Sequence, residues 1–125
     1  MASDGAKLGS ATPIFRVFDL PEALDWYQRV LGFQVAWTWG DPADHASVCR
    51  DSAEINLVVE PGGKLETSRV YFETQSVDAY YVRVSGAGGQ IAIPIGDRPY
   101  GMRDFRVADP AGNELSFGEP TSSQA

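Results

Sequence analysis

With one cysteine and one histidine in 125 residues, the chain has little material for several common chemistries. Cys49 has no partner for an internal disulfide, and in its apolar-leaning stretch it reads as a small buried hydrophobe rather than a nucleophile. His45 alone falls short of the imidazole clusters that hold transition metals, and it reads as a surface or hydrogen-bonded residue. No apolar run approaches the roughly 20 residues that cross a bilayer. Residues 1–10 lack the apolar core of a secretion signal, so the expectation is a cytoplasmic protein with no membrane partner. Basic residues are scarce, Lys+Arg 10 against Asp+Glu 17, for a net charge of -7. Such a surface repels phosphate backbones and argues against nucleic acid as a partner. It either attracts a cationic ligand or serves solubility alone. A Gly-x-Gly-x-x-Gly turn after a strand, a phosphate loop and a Gly-x-Ser-x-Gly elbow are all missing.

What is present is a pattern of strands and helices that occurs twice. Residues 12–18 alternate as a strand, and Asp19 with Glu22 has the spacing of a helix-capping box. Leu20, Ala23, Leu24, Tyr27 and Leu31 then recur at helical spacing up to Gly32, a natural helix stop. Strands follow at 33–39, 45–50 and 54–60, the last two joined by Asp51-Ser-Ala53. After the linker Pro61-Gly-Gly-Lys64 the order repeats: strand 69–74, a helix capped at Ser76 and stopped at Gly86-Ala-Gly-Gly89, then strand 91–95 and a closing hairpin. The stretches 20–32 and 77–89 share one spacing. We read an α+β fold of two βαβββ modules, about 11–60 and 66–119, in one domain spanning 11–119, with flexible ends at 1–10 and 120–125.

The closing hairpin is the most informative stretch. It turns on Asp109-Pro-Ala-Gly-Asn113, with Phe105 and Val107 alternating before the turn and Leu115 and Phe117 after it. Its lead-in, Ile95-Gly-Asp-Arg-Pro-Tyr-Gly-Met-Arg103, sets an aromatic and an arginine among glycines. With Pro13-Ile-Phe-Arg-Val-Phe-Asp-Leu20 and Leu31-Gly-Phe33, these segments resemble the glyoxalase/bleomycin-resistance superfamily (vicinal oxygen chelate fold), and most of all its bleomycin-resistance branch. The resemblance implies a mixed sheet curled around a cleft. It also implies a homodimer whose pockets are shared between subunits.

Enzymes of that superfamily hold a divalent metal through His, Gln or Glu on the first and last strands of each half. Here the resemblance puts Thr12, Arg69 and Ser116 at such positions, with Glu114 two residues from the last. Divalent ions favour anionic oxygens or imidazole and are repelled by guanidinium, so no metal and no cofactor is expected.

Strand alternation gives the candidate binding surface. Thr12, Ile14 and Arg16 share a face, as do Trp37 and Trp39, then Arg69, Tyr71 and Glu73, then Glu114, Ser116 and Gly118. The resemblance places Tyr71 and Tyr100 where drug-binding relatives carry ring-stacking aromatics, with Trp37 near another. Asn56 faces either cleft or solvent, and Arg103 either meets a ligand or anchors its loop on Asp104 or Asp97. The candidate ligand-binding set is therefore Arg16, Trp37, Trp39, Asn56, Arg69, Tyr71, Tyr100, Arg103, Glu114 and Ser116. An aromatic-walled cleft suits a flat, partly cationic molecule, although Arg16 and Arg69 would favour an anionic or neutral one. The resemblance implies metal-independent, non-catalytic sequestration of a bleomycin-type antibiotic or similar aromatic natural product. The alternative is a metal-dependent lyase, isomerase or dioxygenase of the same superfamily, and a metal-free catalyst using Arg16 or Glu114 is a third reading.

Overall fold

A computed structural model describes residues 4–60 and 66–121. The expected linker at 61–64, and the outer parts of both expected tails, lie outside the described residues. The first module contains β1 (Ile14–Val17), α1 (Leu20–Arg29), β2 (Gln34–Gly40), β3 (Ala43–Arg50) and β4 (Ala53–Val59). The second contains β5 (Arg69–Glu73), α2 (Val77–Gly86), β6 (Gln90–Asp97), β7 (Met102–Ala108) and β8 (Glu114–Pro120). Both βαβββ modules of the sequence pattern are present. Their eight strands hydrogen-bond as two four-stranded sheets, ordered β1-β4-β3-β2 and β5-β8-β7-β6. The first and last strands of each module run parallel and the other pairs antiparallel.

Helix α1 begins where the sequence places it. Asp19 Oδ1 accepts the Glu22 backbone N–H at 2.9 Å, and Leu20, Ala23, Trp26 and Tyr27 form its buried stripe. Helix α2 starts differently. Ser76 adopts a left-handed backbone, φ 57°, and its hydroxyl caps nothing. The Glu119 carboxylate takes over, accepting the Val77 N–H at 2.6 Å from the end of β8. A carboxylate at a helix N-terminus satisfies an orphan donor and meets the positive end of the dipole.

Each helix covers one face of its own sheet, and the two cores merge into one buried cluster. Phe15, Val17, Ile55, Leu57, Ala46 and Val48 lie beneath α1, and Phe105, Val107, Leu115 and Phe117 lie on the side of α2. Tyr27 and Phe33 are buried in this cluster, with Tyr80 and Tyr81 packed against it, as their helical and strand spacing implies. The alternate residues of every strand sit on the opposite face of each sheet, which no helix covers.

Candidate functional site

On the first sheet, register aligns two rows across that uncovered face. Ile14, Asn56, Ser47 and Trp37 form one, and Arg16, Val58, His45 and Trp39 form the next. Trp37 and Trp39 are 45% and 67% exposed, and Ile14 and Phe18 are also exposed. Large apolar side chains left bare in rows mark a surface built for contact. Trp39 meets the His45 ring edge-on, centroids 5.9 Å apart. Arg16 donates from Nε to Glu60 Oε2 at 3.3 Å. Asn56 Oδ1 is buried and has no hydrogen-bond partner. Such an atom carries a desolvation cost until a donor reaches it.

The second sheet presents a different surface. Arg69 pairs with Glu114, Tyr71 with Ser116 and Arg106, and Glu73 with Gly118 and Asp104 across the strands. Glu114 Oε1 takes Arg69 Nε at 2.9 Å and lies 3.7 Å from Arg106 Nη1, while Arg106 Nε donates to Ser116 Oγ at 3.1 Å. At the centre is Asp104, 6% exposed. Its Oδ2 accepts the hydroxyls of Tyr71 at 3.0 Å and Tyr100 at 2.8 Å, and its Oδ1 accepts Arg98 Nε at 2.6 Å. Burial pushes the Asp104 carboxyl up, but the donors from Arg98, Tyr100 and Tyr71 outweigh it and hold the pKa below the ordinary value. Burial and the same carboxylate raise Tyr71, and the bond to Asp104 raises Tyr100. Gly118 permits the arrangement. A Cβ there would collide with the Tyr71 hydroxyl and lie 2.8 Å from Asp104 Cβ, so only glycine lets Tyr71 cross β8.

The candidate residues thus divide between two faces. Arg16, Trp37, Trp39 and Asn56 lie on the first, and Arg69, Tyr71, Glu114 and Ser116 on the second, with Tyr100 on the loop above it. No hydrogen bond, ion pair or ring contact links the two sets among the described residues. Arg103 joins neither. Strand β7 puts it opposite Asp104 in facing, and it holds Asp78 at 2.8 Å and Asp97 at 3.0 Å. Of its two sequence readings, loop anchoring is the geometry found, with Asp78 in place of Asp104. Asp104 and Arg98 join the second face in addition to the residues that sequence alternation places there. The signal for Asp104 is alternation in β7, which sets it on the face opposite Phe105 and so across from Gly118.

The superfamily's metal does not fit these residues. Thr12 is exposed, Arg69 is cationic, Ser116 is bonded to a guanidinium, and Glu114 is clamped between two arginines. Among the described residues no three of His, Cys, Asp and Glu gather into a metal-binding group.

The sequence profile of the Glyoxalase/Bleomycin resistance protein/Dioxygenase superfamily matches residues 8–117. The chain belongs to this superfamily. Among curated proteins none matches it significantly. Solved structures do. TioX from Micromonospora sp. ML1 is 25% identical with a TM-score of 0.79, covering 90% of this chain and 100% of its own. The bleomycin-binding protein of bleomycin-producing Streptomyces verticillus, solved with copper(II)-bleomycin, is 26% identical with a TM-score of 0.73, covering 93% and 99%. A glyoxalase-related enzyme from Clostridium phytofermentans, 20% identical with a TM-score of 0.79 over 95% and 100%, shares the superfamily fold.

Proposed function

We propose that this superfamily member is a metal-independent binding protein that sequesters an aromatic natural product, of the bleomycin type or similar, in the cytoplasm. One observation carries the reading. Each module leaves a sheet face bare, with Trp37 and Trp39 exposed on one, Tyr71 and Tyr100 on the other, and Glu114 and Asp104 beside those tyrosines tied to arginines. Asp104 and Glu114, held by arginines, are suited to orienting a stacked ligand rather than to proton transfer, and Glu73 is the carboxylate of that face with no ion pair among the described residues. The ion pairs also bear on ligand charge. Arg16 is compensated by Glu60 and Arg69 by Glu114, so neither presents bare positive charge to a cationic ligand. Similarity to a protein solved with copper(II)-bleomycin supports the same class.

In this reading the protein acts as a homodimer, in which the apolar first face of one copy stands opposite the ion-paired second face of the other. Two such pairings related by a twofold axis would cover both bare faces at once. Chelator-treated protein titrated with bleomycin should show saturable tryptophan quenching near one ligand per chain, lost in Trp37→Ala and in Tyr100→Ala. Light scattering should give a dimeric mass. A monomer that binds nothing would remove this function. Stoichiometric metal in untreated protein would then turn the search to the enzyme alternative.

A further inference from the structure

The seam between the two modules, beside α2, holds a crevice of about 590 Å³. Its apolar wall is Phe33, Tyr80 and the stacked pair Phe72 and Phe117, whose centroids are 5.7 Å apart. Two guanidinium groups, Arg50 and Arg83, line it as well. They converge on Gly32. Arg50 Nη1 and Arg83 Nη2 lie 2.8 Å and 2.9 Å from the point where a Gly32 Cβ would stand.

These arginines differ from the rest of the chain. The other six each meet a carboxylate: Arg16, Arg29, Arg69, Arg98 and Arg103 at 3.3 Å or closer, and Arg106 at 3.7 Å. Arg50 has only Asp51, 3.9 Å away with a side chain 92% exposed, and Arg83 has no carboxylate within ion-pair distance among the described residues. Both donate instead to carbonyls at the end of α1. Arg50 Nη1 reaches Leu31 O at 3.0 Å, Arg83 Nε reaches Val30 O at 3.4 Å, and the Tyr80 hydroxyl also donates to Leu31 O. Cations at a helix C-terminus are favourable. That role engages one N–H of each five-donor guanidinium, and the Arg50 guanidinium also lies over the Tyr80 ring, 5.1 Å from its centroid. Glu73 and Asp51 also line the crevice, and neither makes a close pair with either arginine.

We propose that this seam is a second binding site, for an organic anion whose carboxylate or phosphate head sits on Arg50 and Arg83 and whose aromatic or apolar body lies against Phe72, Phe117 and Tyr80. Paired guanidinium forks match the oxygens of such a head. The site does not depend on the sheet-face reading. Its occupant would bridge the modules, since Arg50 and Phe33 come from the first and Arg83, Phe72 and Phe117 from the second.

Phenyl phosphate, titrated into ¹⁵N-labelled full-length protein, tests the proposal. Saturable shifts are expected at the amides of Gly32, Arg50 and Ser76, with the Trp37 and Trp39 indole signals unmoved. Benzoate should act on the same amides, inorganic phosphate more weakly, and benzyl alcohol, which lacks the charged head, not at all. Arg83→Gln should weaken phenyl phosphate by about tenfold or more, the loss expected for a charge-assisted hydrogen bond. Its unchanged tryptophan signals would report an intact fold. No saturable shift at Gly32 and Arg50 in the wild-type protein would overturn the site, even if the variant failed to fold. So would equal binding of benzyl alcohol, or affinity undiminished in a folded Arg83→Gln.

Discussion

The hydroxyl of Tyr27, in the last turn of α1, donates to the carboxylate of Asp109, in the turn between β7 and β8, across 2.8 Å. Both are buried, and the bond joins the first module to the second across 82 residues of sequence. Burial raises the Asp109 pKa against the opposing donors Asn113 and Tyr27, and burial next to that carboxylate pushes the tyrosine far up.

Tyr27→Phe should therefore cost about 1–3 kcal/mol, because it removes a donor from a buried acceptor while keeping the ring. Urea unfolding measures it. The sign of the pH effect follows from the raised Asp109 value. The stability linked to that group is fully present below its unfolded pKa and is lost as pH rises through the folded one. Removing the tyrosine donor raises the folded value further, so the deficit of Tyr27→Phe should shrink as the solution is acidified.

Gly118→Ala should displace Tyr71 from Asp104, since the new methyl would occupy the space of the tyrosine hydroxyl. We expect about 1–3 kcal/mol of destabilisation, as for other overpacked positions. Tyr71→Phe in the same background should recover part of it, because the colliding oxygen is gone. A double-mutant cycle in urea reads the coupling.

Asp104 gives the opposite pH signature to Asp109. Its folded pKa lies below the ordinary value, so the stability it contributes is present above its unfolded pKa, about 3.9, and is lost as pH falls through the folded one. The wild-type protein should lose this component in strong acid. Asp104→Asn should be less stable at neutral pH and lack that acid limb. Thermal unfolding of both proteins across the acid range makes the comparison.

The three tryptophans should separate cleanly. Trp26 is 7% exposed on the buried stripe of α1, whereas Trp37 and Trp39 are open to solvent. Acrylamide should quench a red-shifted component that disappears in the Trp37→Ala, Trp39→Ala double variant, leaving a blue-shifted, protected emission from Trp26. A red-shifted, readily quenched residual emission would contradict this placement of Trp26.

Much of the fold was legible because its signals are local. Alternation in 102–108 and 114–120 and the Asp-Pro-Ala-Gly-Asn turn specify the hairpin, and Asp19 acts at the start of α1 as its spacing implies. Ser76 failed as a cap for α2 because the decisive partner, Glu119, is distant in sequence. The site shows the same division. Which residues share a face follows from period two, so Arg16 and Arg69 were visible as charges. Their neutralisation by Glu60 and Glu114 depends on parallel pairing between the first and last strands of each module, which no neighbouring residue reveals.

The turn between β7 and β8 also constrains how quickly the molecule is completed. Besides the Tyr27 bond, the Asn113 amide donates to Arg16 O, 97 residues away, and its oxygen accepts the Ser68 N–H, 45 residues away. Contacts at such separations carry the largest loop-closure entropy and slow a folding reaction. Each module can pair its own strands early, but the bonds of Asp109 to Tyr27 and of Asn113 to Arg16 form only when both modules have docked. A probe on this short turn would therefore follow the final event in folding, and a weakened turn should speed unfolding more than it slows folding.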